Sequence, residues 1–99
     1  ANTIADGVAT SAPMPEAFDM ILNGADRIVT VSDQQIKHAM YQYYQTTHNL
    51  AEGAGATPLA GLLKEKEAMA GKKVGVILSG GNIDFERYSK FVSSIAKEL

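Results

Sequence analysis

Lys73-Val74-Gly75-Val76-Ile77-Leu78 runs directly into Ser79-Gly80-Gly81-Asn82, and the reading of these ten residues decides the fold. The first six are apolar almost throughout, as expected of a central strand buried on both faces of a parallel sheet. The four that follow form a polar turn. Asp84 then caps a helix in which Phe85, Tyr88, Val92, Ile95 and Leu99 repeat every three or four residues.

Upstream of this unit, Ala56, Leu59, Ala60, Leu62 and Leu63 give a helical face that ends near Gly71, with Pro58 expected in the first turn, where a missing N–H costs little. Before it, Ser32 and Gln35 form a capping box, and Ile36, Ala39, Met40, Tyr43, Tyr44 and Thr47 share one face of a longer helix. Arg27-Ile28-Val29-Thr30-Val31 is short and β-branched, and reads as a strand. Phe18, Ile21 and Leu22 mark a helix after Pro15, which Asn23-Gly24 is expected to stop in a left-handed conformation. Thr3-Ile4-Ala5 is strand-like. The order strand, helix, strand, helix, helix, strand, helix is that of the α/β class. Residues 1–99 form one unit with no linker, repeat or internal boundary. Three short strands make a thin sheet, so the chain is expected to be one edge of a larger sheet. Residues 1–15, opening on Ala1-Asn2-Thr3, do not read like a natural beginning.

Composition narrows the functional classes. The 99 residues are 45% hydrophobic and 20% charged, with a net charge of −2, which gives no electrostatic reason to expect nucleic acid or an anionic membrane as partner. The one close basic cluster, Lys64 to Lys73, is interleaved with Glu65 and Glu67 and reads as a solvated helix end. There is no cysteine, which excludes disulfides, zinc–thiolate clusters and thiol catalysis. No apolar run approaches the length of a membrane span, and no signal peptide is visible. A cytoplasmic protein is the expectation.

Two segments carry candidate chemistry. Ser79-Gly80-Gly81-Asn82 lies at the carboxyl end of the expected strand, where open α/β sheets bind ligands, and glycine lets the backbone approach a flat or charged group. A tight strand-to-helix turn without a ligand is the alternative. Glu52-Gly53-Ala54-Gly55-Ala56 places small residues at a helix start, which suits either a bound phosphate or close helix packing. Glu52 itself could be a cofactor contact, a proton carrier or a cap. Asp6-Gly7 is a turn or a ligand-lining loop. His38 and His48, without cysteines or paired carboxylates nearby, give no metal site.

Taken together, Thr3-Ile4-Ala5-Asp6-Gly7, Asp26-Arg27-Ile28-Val29-Thr30-Val31-Ser32, Glu52-Gly53-Ala54-Gly55-Ala56 and Ile77-Leu78-Ser79-Gly80-Gly81-Asn82-Ile83-Asp84 resemble the threonine dehydratases and serine racemases. These are pyridoxal-phosphate enzymes of the tryptophan-synthase-β-like fold type II. The resemblance covers nearly the whole chain in order and spacing. It implies the C-terminal part of the larger three-layer α/β/α domain, and an enzyme that dehydrates and deaminates L-threonine or L-serine to a 2-oxo acid and ammonia.

The same resemblance implies roles by position. Ser79 would hydrogen-bond the pyridine nitrogen of pyridoxal 5′-phosphate, Gly7 would lie beside the ring, and Gly80 and Asn82 would shape the turn beneath it. Glu52 would sit near the ring and the substrate end, the one candidate for a catalytic role. A neutral hydroxyl at the ring nitrogen suits β-elimination better than transamination, since it does not hold that nitrogen protonated. His48 departs from the family, which often carries lysine four residues before this glutamate. Nothing here resembles the family's Schiff-base lysine in its serine-x-lysine pattern, its phosphate-binding glycine loop, or the carboxylates that hold a divalent cation. The isolated chain is therefore expected to be inactive and to share its cofactor with an N-terminal remainder, covalent or separate, in an enzyme that is a homodimer when complete. A non-catalytic remnant or partner subunit, and serine racemase or hydroxyaspartate dehydratase activity, stay open as alternatives. So does, from pattern alone, an unrelated small nucleotide-binding domain.

Overall fold

The computed structural model describes residues 2–98 and is helical throughout its regular elements. A 3-10 turn spans Asp6–Val8, and the α-helices are α1 (Pro15–Gly24), α2 (Asp33–Thr47), α3 (Gly53–Lys64), α4 (Lys66–Met69) and α5 (Phe85–Glu98). The expected α/β class is corrected on this point. Neither 27–31 nor 74–78, nor the strand-like 3–5, forms a strand among the described residues. The physical reason is pairing: a strand exists only through hydrogen bonds to a neighbour. Residues 28–31 and 74–78 make no backbone–backbone hydrogen bonds among the described residues. The two-sided burial expected at 74–78 is likewise absent. Val76 and Leu78 are partly buried, while Val74 and Ile77 are exposed.

The helices follow their sequence signals closely. In α2 the Ser32 hydroxyl accepts from the Gln35 amide at 3.1 Å and the Gln35 side chain accepts from the Ser32 amide at 2.8 Å, completing the capping box. Its buried face is Ile36, Ala39 and Met40; Tyr43 is partly buried, whereas Tyr44 and Thr47 face solvent. The helix ends on His48 in the left-handed conformation (φ 58°, ψ 33°), whose amide donates to Tyr44 O at 3.0 Å. In α5, Asp84 Oδ1 accepts from the Arg87 amide at 3.0 Å, the expected cap. Tyr88 and Ile95 are buried on its inner face, Phe85 is exposed, and the expected contribution of Leu99 lies outside the described residues.

Two helix boundaries differ from expectation. α3 starts at Gly53, so Pro58 sits inside the helix rather than in its first turn. Pro58 lacks the N–H that would bond to Ala54 O, and the ring stays exposed. Gly24 does not stop α1 in a left-handed conformation. It is helical, and the chain leaves through Ala25 (φ −76°, ψ 134°). Gly71 (φ 79°) makes the left-handed turn that follows α4.

The core is built from small side chains. Ala5, Ile36, Ala39, Met40, Ala51, Ala56, Ala60 and Tyr88 form one buried cluster. Ala56 and Ala60 let α3 approach α2 closely, and α5 packs on the same helix. Helix α1 touches no other helix, and Phe18, Met20, Ile21 and Leu22 on it are all exposed. The accessible surface of 7083 Å² exceeds the roughly 5,400 Å² usual for a folded monomer of this mass. Its radius of gyration, 14.2 Å, similarly exceeds the ~12.6 Å usual for this length. Much apolar surface is therefore left uncovered.

Candidate functional site

The N-terminus of α3 is where distant parts of the chain meet. Two glycines in a first helical turn cost stability, each about 1 kcal/mol relative to alanine, and contacts there explain their presence. A Cβ at Gly53 would stand 2.9 Å from Ile4 O, and one at Gly55 would stand 2.5 Å from Gly80 O. Real side chains never approach that closely, so glycine is what brings the 3–5 strip and the 79–81 turn onto α3. Of the two readings open for these small residues, close packing is the one the structure displays.

Around that junction lies the Glu52 carboxylate. Glu52 occupies the N-cap position of α3, yet its side chain makes no capping hydrogen bond. Its amide instead donates to Gly80 O at 3.1 Å. The carboxylate rests between two glycines: a Cβ at Gly80 would be 2.7 Å from Oε1, and one at Gly7 would be 4.0 Å from Oε2. Gly7 and Gly80 thus flank one charged group from opposite ends of the chain. Capping by the side chain is excluded as the role of Glu52, which leaves the contact and proton-carrying readings.

The neighbouring strip is tied down by polar contacts that sequence reasoning missed. Asp33, in the first turn of α2, accepts from the Thr3 hydroxyl at 2.5 Å and from the Ile4 amide at 3.3 Å. Arg87 Nη1 donates to Asp6 Oδ2 at 3.1 Å, tying the start of α5 to the turn that carries Gly7. No local pattern could have revealed these pairs, because the partners are 30 and 81 positions apart.

Asn82 lines a recess with Asp6, Glu52, Gly53 and Arg87 whose free volume is about 10 Å³. That is at the lower limit for one water. Ser79 is exposed at the end of segment 74–78. The five sequence candidates thus divide. Gly7, Glu52, Gly80 and Asn82 gather at the α3 N-terminus, and Ser79 adjoins them through the chain. The exposed Ser79 hydroxyl can donate and accept hydrogen bonds at this corner.

Comparisons with known proteins agree on one family. The family model described as pyridoxal-phosphate dependent enzyme matches residues 1–80. The chain is 41% identical over 92 residues to the L-threo-3-hydroxyaspartate ammonia-lyase of Saccharomyces cerevisiae, an alignment that covers 93% of this chain and 28% of that protein. It is 36% identical over 91 residues to a catabolic L-threonine dehydratase of Staphylococcus aureus, covering 89% of this chain and 26% of the relative. The crystal structure of the Dictyostelium discoideum serine racemase superposes with a TM-score of 0.76 at 37% identity, over 86% of this chain and 28% of the racemase. The chain thus spans little more than a quarter of the length of these relatives. The resemblance to the dehydratases and racemases read from the sequence is borne out.

Proposed function

The chain belongs to the pyridoxal-phosphate dependent enzyme family, and from that premise we propose that it forms the C-terminal part of the large α/β/α domain of a lyase that converts L-threonine or L-serine to a 2-oxo acid and ammonia. The observation carrying this reading is the meeting of Gly7, Glu52 and Gly80 around one carboxylate, beside Ser79. These residues suit pyridoxal 5′-phosphate: glycines leave the ring room, and the exposed Ser79 hydroxyl can bond to its pyridine nitrogen. The cofactor, when bound, supplies the electron withdrawal that labilises the substrate Cα–H bond. Ser79 would hold the ring nitrogen without fixing a charge on it. Glu52 would sit near the ring and the substrate end, where it could hold a proton. Gly80 and Asn82 would set the turn beneath.

In the same reading the lysine nucleophile, the phosphate loop and any divalent-cation ligands come from the remainder of the enzyme, joined covalently or as a second chain. The completed protein is a cytoplasmic homodimer. The test grafts this chain in place of the matched segment of the Dictyostelium serine racemase. The expected result is a cofactor absorbance band and 2-oxo acid from L-threonine or L-serine, while the isolated chain gives neither. A folded graft that binds cofactor but releases no 2-oxo acid or ammonia from either amino acid would sink the lyase reading.

A further inference from the structure

Arg87 stands in the first turn of α5, where a cation opposes the helix dipole and an acid is the usual occupant. A residue that breaks its local rule points to a demand elsewhere in the fold. Its amide donates to Asp84 Oδ1 at 3.0 Å, which fixes the backbone, and its guanidinium lies 5.5 Å from the centre of the Phe91 ring one turn on. Phe91 is itself packed against the core, and Lys37 Nζ of α2 lies 5.1 Å from the same ring. The arginine is thus held at its root and along its side chain, and its Nη1 reaches Asp6 Oδ2 at 3.1 Å.

Asp6 is where the N-terminal strip is last tied down. Just before it, Ala5 is buried and Asp33 holds Thr3 and Ile4. The turn Asp6–Val8 buries none of its own residues. From Gly7 to Ala25, no hydrogen bond or ion pair among the described residues reaches another part of the chain, and the backbone bonds present close local turns only. Gly7 therefore lies between one tied residue and a stretch without polar anchors. It is nevertheless set close against α3, since a Cβ on it would stand 2.9 Å from Ala54 Cβ and 4.0 Å from Glu52 Oε2. Asp6, Glu52, Asn82 and Arg87 border one recess, so the tie is made at the candidate site itself.

We infer that Arg87 is a positioning residue for this site: through Asp6 it holds the Gly7 turn against Glu52, and so keeps in place the backbone that borders the cofactor ring. The inference rests on the reading that this corner faces pyridoxal phosphate. Arg87 acts through the turn and not on the ring. The side chains of Arg87 and Asp6 are 44% and 70% exposed, so the tie is modest and is screened by salt. Exposed pairs of this kind are worth a factor of about 2 to 5 in an equilibrium.

The racemase graft tests this through its affinity for pyridoxal phosphate, followed by the absorbance of the bound cofactor. Arg87→Met is expected to weaken binding about 2- to 5-fold, Asp6→Asn by the same factor, and the double variant by no more than either alone. Arg87→Lys should recover at least half of the loss, because a single contact needs the charge and not the planar fork. Lys90→Met, which removes an exposed charge from the same helix, should leave affinity unchanged. The gap between parent and Arg87→Met should close at about 1 M salt. The Val8 amide, bonded to Ala5 O at 3.0 Å, gives a readout that needs no cofactor, and its hydrogen exchange should quicken in Arg87→Met. Unchanged affinity or unchanged Val8 exchange in Arg87→Met, additive losses in the double variant, or no recovery in Arg87→Lys overturns the positioning role. Ammonia release reports on the lyase reading separately. An active graft indifferent to Arg87→Met keeps the lyase and removes the positioning role. A graft that shows the expected changes in affinity and releases no ammonia keeps the positioning role and removes the lyase.

Discussion

The Glu52 amide donates to the Gly80 carbonyl at 3.1 Å, and the Glu52 carboxylate fills the space where a Gly80 side chain would be. One residue therefore fixes the turn through its backbone and sterically restricts it through its side chain. The neighbouring glycine on α3 works differently, because what crowds it is main chain.

That difference separates two substitutions. Gly55→Ala would improve helix propensity by about 1 kcal/mol, yet its Cβ would meet Gly80 O and N, which cannot swing away. The net expected effect is a loss of about 1–3 kcal/mol, read as a lower urea midpoint of the helical signal. Gly80→Ala meets only the far end of the Glu52 side chain. Its stability should change by less than about 0.5 kcal/mol, while in the completed enzyme the displaced carboxylate is expected to lower turnover. Equal losses of stability for the two variants would show that the Glu52 side chain cannot move.

His48 ends α2 with φ of 58°, a conformation that costs a side chain about 1 kcal/mol or more. His48→Gly is expected to raise stability by about 0.5–1 kcal/mol and His48→Val to lower it by about 1 kcal/mol. Thermal denaturation of the two variants beside the parent checks both signs.

Tyr88 is 4% exposed, and its hydroxyl has no hydrogen-bond partner among the described residues. Burial, and to a lesser degree Tyr44, push its phenol above the ordinary tyrosine range. Removing an unsatisfied buried hydroxyl should help, so Tyr88→Phe is expected to gain about 1 kcal/mol. A loss of stability in urea would mean that the hydroxyl finds a partner in solution.

The Arg27 guanidinium, hydrogen-bonded to Glu65, holds the Glu65 carboxyl below the usual carboxylate range. A group with a depressed folded-state value stabilises the fold above its unfolded value, near pH 4.3. That contribution is lost as pH falls through the folded value. Acid titration of the parent should show this added loss below about pH 4.3, and Glu65→Gln should lack it. Superimposable acid profiles would count against the pair.

Ser79→Asp in the completed enzyme would keep the cofactor's ring nitrogen protonated. Dehydration is expected to fall by at least tenfold, about 1.4 kcal/mol in the barrier, whereas Ser79→Ala should retain more activity than Ser79→Asp. Unchanged turnover of the aspartate variant would remove the role given to the neutral hydroxyl.

Local signals made the helices legible, and the sheet was not. The Ser32–Gln35 box, the Asp84 cap and the spacing of Ile36, Ala39 and Met40 all act within a turn or two, and each appears as read. Val74-Gly75-Val76-Ile77-Leu78 carries the composition of a central strand, but a strand is a relation between segments, and the described residues supply no partner. The family motif at Ser79-Gly80-Gly81-Asn82 points to the α3 N-terminus, where Gly80 meets Glu52. The Asp33–Thr3 and Arg87–Asp6 contacts there were invisible, since nothing in either neighbourhood encodes a partner so far along the chain.

The same distances set an order of assembly. Helices α2 and α3 are adjacent in sequence and pack through small side chains, so their contact closes only a short loop. The Arg87–Asp6 contact closes 81 positions. Joining those ends costs about 2 kcal/mol more in chain entropy than joining residues eight apart. The α2–α3 pair therefore forms early and acts as the template. The strip that carries Gly7 reaches α2 through Asp33, 30 positions away, so the Arg87–Asp6 contact is expected to close after it and to be the first to open.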